Sequence, residues 1–67
     1  MFIELTDITD PKVTNDCYVN INHIISFKDL YGVSTIIQFD GAYLIVSESY
    51  EEVKSLIEHE VQAERGY

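Results

Sequence analysis

The chain has few of the residues that form covalent cross-links, tight loops or basic binding surfaces. Its 67 residues include one cysteine, one proline, three glycines, no tryptophan and only four lysine or arginine residues. A single Cys17 excludes an internal disulfide, and a lone thiol fits a reducing compartment. A domain this small buries only about 60% of its unfolded surface, so without cross-links we expect self-association to add stability.

Positive charge is scarce. Twelve aspartate and glutamate residues against four lysine and arginine residues give a net charge of −8, which opposes the phosphate attraction behind most nucleic-acid binding. We therefore expect no nucleic-acid partner. The stretch from Met1 to Asp7 has neither a basic region nor a long apolar run, so the sequence predicts no signal peptide, no membrane insertion and a cytoplasmic location.

Alternating apolar and polar residues predict five strands, at about residues 2–8, 17–21, 24–28, 33–39 and 42–46. The segment from Thr9 to Asp16 contains Pro11 and is predicted to be a loop. Asn22-His23 and Leu30-Tyr31-Gly32 are predicted to reverse the chain. Asp40-Gly41 favours a type I′ hairpin turn, because this dipeptide tolerates positive φ angles.

A capped helix is predicted at about residues 50–63. Ser49 as the N-cap and Glu52 three residues later form a capping box. An apolar stripe at helical spacing follows and is expected to cover the sheet; it consists of Val53, Leu56, Ile57 and Val61. Gly66 is expected to end the helix.

Together these elements predict one α+β domain over residues 1–67. Its sheet is expected to be five-stranded, mainly antiparallel, and bent or partly closed like a small barrel, with the C-terminal helix packed against it. The positions expected to stabilise this fold lie in the hairpin, the helix cap and the helix stripe: Gly41, Ser49, Glu52, Val53, Ile57 and Val61.

The sequence contains no recognisable catalytic or metal-binding pattern. His23 and His59 are far apart and lack neighbouring ligands at metal-site spacing. The glycines are isolated, and no serine lies in a nucleophile-elbow motif. We therefore predict no enzymatic activity, no metal and no cofactor.

Aromatic and apolar residues provide the candidate binding surface. Tyr43 and Ile45 alternate with Ala42, Leu44 and Val46, so they are predicted to form a second, partner-facing side of the sheet. The complete set of candidate partner-binding residues is Tyr18, Asn20, His23, Tyr43 and Ile45. Two alternatives are open for Tyr31, Phe39 and Tyr50: an exposed surface shared with Tyr18 and Tyr43, or the core and cross-strand packing that is usual for aromatics in a small sheet.

Five segments form a pattern that spans most of the chain. They are Ile3-Glu4-Leu5-Thr6, Val19-Asn20 with Ile24, Ser34-Thr35-Ile36, Gly41, and Val46-Ser47-Glu48-Ser49 with Glu52-Val53. In this order they resemble the FlbD-type flagellar and swarming motility proteins, which are small, soluble bacterial proteins. The resemblance implies a β-rich fold with a C-terminal helix and a non-catalytic role in supporting flagellar motor output or swarming.

Two functions follow as hypotheses. The first is a non-enzymatic module that binds a protein partner or associates with itself. The alternative is an oligomeric small-ligand or nucleotide-binding module of phage or mobile-element origin. In that alternative, Asn20, His23 and the aromatic residues would converge across subunits.

Overall fold

A computed structural model describes the backbone of residues 1–65 and the side chains through residue 63. In chain order the elements are β1 (Phe2–Asp7), β2 (Asn15–Asn20), a 3₁₀ helix (Ile21–His23), β3 (Ser26–Leu30), β4 (Ser34–Phe39), β5 (Ala42–Val46) and α1 (Tyr50–Arg65). Gly66, the predicted helix end, lies outside the described residues. No helix in the described part of the chain has the length and apolar character needed to cross a membrane.

All five strands belong to one open antiparallel sheet in the order β2-β1-β5-β4-β3. The α+β fold predicted from the sequence is confirmed. The sheet consists of a β1-β2 hairpin and a β3-β4-β5 meander, which meet where Asp7 pairs with Val46. Strands β2 and β3 form the two edges of the sheet.

Side chains near Thr6 and Thr9 extend the short pairing between β1 and β5. The carboxylate of Glu48 accepts hydrogen bonds from the backbone N–H and the Oγ1 of Thr6, both at 2.9 Å. Thr9 Oγ1 accepts a hydrogen bond from the backbone N–H of Ile45 at 2.9 Å. These contacts satisfy backbone donors that the short strand pairing leaves without a carbonyl partner.

The core lies between the inner face of the sheet and α1. Its buried members alternate along the strands and are joined by one helix residue: Ile3, Leu5, Val19, Ile37, Val46 and Val53. Val53 is completely buried, and α1 contacts β1, β3 and β4. Burial of this set supplies the main apolar stabilisation of the domain.

The predicted capping box is present at the start of α1. The Ser49 N–H donates to Glu52 Oε1, and the Glu52 N–H donates to Ser49 Oγ, each at 3.2 Å. The apolar stripe is narrower than predicted, because Leu56 remains 37% exposed whereas Ile57 packs against the core. Leu56 therefore lies at the margin of the helix face that the sheet covers, and Ile57 lies closer to its centre.

The two hairpin turns differ from the prediction. At Asp40-Gly41 only Gly41 has a positive φ, of 77°, so the predicted type I′ turn is wrong at this position. Tyr31 and Gly32 instead both have positive φ, 56° and 75°, as in a type I′ turn. Asp29 Oδ2 accepts a hydrogen bond from the Gly32 N–H at 3.0 Å and helps to hold this backbone.

Two strands also require correction. Strand β2 spans Asn15–Asn20 rather than 17–21, and β3 spans Ser26–Leu30 rather than 24–28. The predicted reversal at Asn22-His23 is part of the 3₁₀ helix, whose start is capped by Asn20 Oδ1 accepting from the Asn22 N–H at 3.0 Å. Strand pairing thus includes polar residues that local patterning assigned to loops.

Candidate interaction surface

The side of the sheet opposite α1 is called the outer face here. Strand alternation places the neighbours of the buried core residues on this face. Its apolar and aromatic members on the strands are Phe2, Tyr18, Leu30, Ile36, Tyr43 and Ile45. Among the described helices, none packs against this face, so these residues are open to a partner.

One group on the outer face lies on β4 and β5 and is called the Tyr43 cluster: Ile36, Gln38, Tyr43 and Ile45. Ile36 pairs directly with Ile45, and Gln38 pairs with Tyr43. Tyr43 is 58% exposed, whereas both isoleucines are half-buried. The predicted orientation of Tyr43 and Ile45, away from the helix, is present, and Ile36 adds a third apolar side chain beside them.

A second group lies on β1 and β2 and is called the Tyr18 cluster: Phe2, Glu4, Asp16 and Tyr18. Tyr18 is 71% exposed and lies directly opposite Glu4. Phe2 is 55% exposed and lies diagonally across from Tyr18, since it pairs with Asn20. Asp16 lies two residues from Tyr18 on the same face of β2.

The strand register separates the two clusters. Tyr43 lies three positions from the Asp7–Val46 pair toward one end of the sheet. Tyr18, opposite Glu4, lies three positions from the same pair toward the other end. At about 3.3 Å per residue, the two tyrosines are roughly 20 Å apart along the strands. The structure therefore does not bring Tyr18 and Tyr43 into one site within a single chain.

Asn20 is the last residue of β2 and pairs with Phe2, two residues from Tyr18 on the same face, whereas His23 lies beyond the end of the strand. Asn20 uses its side-chain oxygen to cap the 3₁₀ helix, and His23 is an exposed residue of that helix. Neither residue joins the Tyr43 cluster. Asn20 therefore has a structural role in this chain.

The aromatic residues do not share one exposed surface, and two of them pack against other side chains instead. Tyr50 packs on Phe27 with ring centroids 5.1 Å apart and planes inclined by 33°, and Phe39 packs against the core. Tyr31 is 91% exposed but lies at the tip of the β3-β4 turn. Phe2 is not among the predicted contact residues, although its alternation with Ile3 places it on the outer face.

Cys17 lies among acids at the inner side of β2. Partial burial raises the pKa of its thiol, and the negative charges of Asp7, Glu48 and Asp16 raise this pKa further. The thiolate is the nucleophilic form of cysteine, so these surroundings oppose nucleophilic chemistry near neutral pH. Hydrogen bonds from Thr9 lower the pKa of the Asp7 carboxyl and keep it ionised.

A shallow groove of about 350 Å³ runs along α1 and is lined by Ile57, Glu58, Val61 and Gln62. These described lining residues come from one helix, so among them no polar groups from separate elements converge, as they do in most ligand sites. In the part of the chain that the structure describes, no group of three histidine, cysteine, aspartate or glutamate residues is placed to hold a metal ion. The outer face is the better candidate for a functional surface.

Comparison with known proteins identifies no relative: no family model, no curated protein and no solved structure matches the chain.

Proposed function

We propose that this protein is a non-enzymatic protein-interaction module that binds its partner through the Tyr43 cluster. The observation that carries the proposal is the exposure of Tyr43 beside Ile36 and Ile45, on a sheet face that no described helix covers. Tyrosine combines a large apolar ring with a polar hydroxyl and is enriched at protein interfaces. A partner that covers Tyr43 would complete the burial of both isoleucines.

The position of the cluster on paired strands favours this function. Ile36 and Ile45 are cross-strand partners in the middle of the β4-β5 ladder, so backbone hydrogen bonds hold their positions before a partner arrives. A surface that is already ordered loses less conformational entropy on binding than a flexible loop does. Gln38, beside Tyr43, provides a hydrogen-bonding group at the rim.

The resemblance to FlbD-type proteins extends the proposal to a partner in the flagellar motor or in swarming. Asn20, Gly41, Ser49 and Glu52 belong to the resembling segments, and they cap or turn the backbone in this structure. In this chain these residues support the fold rather than a particular contact. The motility role therefore depends on the resemblance alone.

Chemical cross-linking in the cells that make the protein, followed by mass spectrometry, tests the proposal. The tagged wild-type protein is compared with Tyr43→Ala and with Tyr31→Ala, which removes another exposed tyrosine outside the outer face. A partner retained by Tyr31→Ala but lost from Tyr43→Ala supports the Tyr43 cluster as the contact surface. Motor or stator proteins among such partners would support the motility role.

Two other outcomes oppose parts of the proposal. Capture of copies of the chain alone would favour the alternative, an oligomeric small-ligand module, and the oligomer would then be searched for a co-purifying ligand. Equal capture by both variants would contradict the Tyr43 cluster as the contact surface. Thermal unfolding of each variant separates lost binding from lost folding.

A further inference from the structure

The outer edge of β2 presents unpaired backbone groups. Among the described strands, β2 pairs with β1 only. The Ile21 N–H donates to the Met1 carbonyl at 3.0 Å, which fixes the alternation of the ladder. The hydrogen-bonded pairs therefore continue as Ile3–Val19, Leu5–Cys17 and Asp7–Asn15, and the N–H and C=O groups of the intervening β2 residues point away from β1. Those residues are Asp16, Tyr18 and Asn20.

The contacts of β1 agree with this alternation. Thr6 occupies a position between the hydrogen-bonded pairs of the β1-β2 ladder. Its N–H bonds to Glu48, and its carbonyl accepts from the Ser47 N–H at 3.0 Å, on the side away from β2. The same register therefore accounts for hydrogen bonds on both sides of β1.

Acidic and aromatic side chains lie beside the free edge of β2. Glu4 and Tyr18 form a pair without mutual backbone hydrogen bonds, in which Cα atoms are only about 4.5 Å apart. Phe2 and Asp16 complete the group, and all four side chains are exposed. Neither β1 nor β2 contains a lysine or arginine. Carboxylates beside an aromatic ring favour a cationic group through ion pairing and cation–π attraction.

We propose that the β2 edge binds an extended, lysine- or arginine-rich segment of a partner protein as an added strand. Backbone groups of the segment pair with those of Asp16 and Tyr18, and its cationic side chains lie over Tyr18 between Glu4 and Asp16. Strand addition is an established mode of peptide recognition. The inference rests on the proposed function as a protein-interaction module, and it identifies the chemistry of the partner.

Charge favours a basic segment over a second copy of the chain. Each copy carries a net charge of −8, so pairing two β2 edges would bring two acidic proteins together without a cation on either strand. The same net charge attracts a basic segment and accelerates its association at low salt.

Amide hydrogen exchange followed by NMR tests the inference. The probe is a blocked peptide of alternating lysine and valine, and the control peptide alternates glutamate and valine. We expect the basic peptide to slow exchange of the outward Asp16 and Tyr18 amides by about tenfold, since added pairing removes them from water. The inward Cys17 and Val19 amides, already bonded to β1, should change little. The acidic peptide should have no effect.

Substituted variants distinguish binding at the β2 edge from attraction of the basic peptide to the protein's overall negative charge. We expect Glu4→Gln combined with Asp16→Asn to weaken binding of the basic peptide by about tenfold. Glu58→Gln, an exposed acid on α1, should leave binding unchanged. Asp16→Pro removes an outward N–H, so it should bind more weakly than Asp16→Asn, which removes only the charge. Urea unfolding verifies that each variant is folded.

Three results would overturn the inference. These are no binding of the basic peptide at low salt, equal weakening by the Glu58 variant, and outward amides whose protection rises with protein concentration alone. The last result would identify a second copy as the occupant. Tyr43→Ala is expected to bind the peptide normally. The cross-linking experiment therefore tests the Tyr43 cluster, and the peptide experiment tests the β2 edge independently of it.

Discussion

Glu48 and Thr6 are joined by two hydrogen bonds, although they are 42 residues apart in the chain. Both carboxylate oxygens of Glu48 are engaged, one by the Thr6 N–H and one by the Thr6 hydroxyl, each at 2.9 Å. The carbonyl of Glu48 also accepts from Thr35 Oγ1 at 2.8 Å. Glu48 thus links β1, β4 and the segment that leads into α1.

We predict that Glu48→Ala lowers the free energy of unfolding by about 1–3 kcal/mol, because it leaves the partly buried Thr6 N–H without its acceptor. Glu58→Ala, at an exposed helix position, is the matched control and should change stability by less than about 0.5 kcal/mol. Urea unfolding followed by circular dichroism measures both variants. Equal effects would show that the Glu48 contact does not stabilise the junction of β1 and β5.

Thr9 makes the corresponding contact on the other side of this junction. Thr9→Val preserves the shape of the side chain but removes the acceptor of the Ile45 N–H, and we expect a loss of about 1–3 kcal/mol. Thr14→Val is the control, since Thr14 is exposed in the loop before β2. Comparable melting temperatures for the two variants would contradict this role of Thr9.

Tyr31 adopts a backbone conformation that costs energy for a bulky residue. Its φ is 56° and its side chain is 91% exposed, so little packing offsets that cost. Asparagine tolerates the left-handed region better, and Tyr31→Asn should raise the free energy of unfolding by about 1 kcal/mol. Tyr31→Ala removes the ring but leaves the cost of the positive φ at this position, so it should give no such gain in stability. Lower stability of Tyr31→Asn in chemical denaturation would refute the interpretation.

Cys17 is expected to react slowly with iodoacetamide at neutral pH. Its raised pKa leaves less thiolate at pH 7 than in an unfolded cysteine peptide, so the reaction rate should rise at a higher pH than it does for the peptide. Asp7→Asn removes a negative charge that raises this pKa, so the rate at pH 7 should increase about twofold. Asp10→Asn is the control, because Asp10 is an exposed loop acid. A rate profile identical to that of the peptide would show that these surroundings have no effect.

The features that the sequence predicted correctly depend on near neighbours. Ser49 and Glu52 are three residues apart, so their mutual cap follows from the order of side chains alone. Strand alternation likewise placed Tyr43 and Ile45 on the face away from the helix. The number of strands and the C-terminal helix followed from the same periodicities.

The features that the sequence did not predict are contacts between residues far apart in the chain and the backbone conformations of the two hairpin turns. Nothing near Thr6 or Thr9 identifies Glu48 or Ile45 as a partner, because these contacts exist only after β5 lies beside β1. The same offset between the hairpin and the meander separates Tyr18 from Tyr43. The type I′ pattern occurs at Tyr31-Gly32 rather than at Asp40-Gly41. Asp-Gly also suits a turn in which only the glycine has a positive φ, so the dipeptide alone does not decide the turn type.

The most direct test of the proposed interaction surface is photo-cross-linking in cells that make the protein. Benzoylphenylalanine replaces Tyr43 in one variant and Tyr31 in the other, so that two exposed positions carry the same reactive group. The proposal predicts a discrete adduct with a partner protein from position 43 and none from position 31. Adducts of equal yield from both positions, or none from position 43, would contradict it.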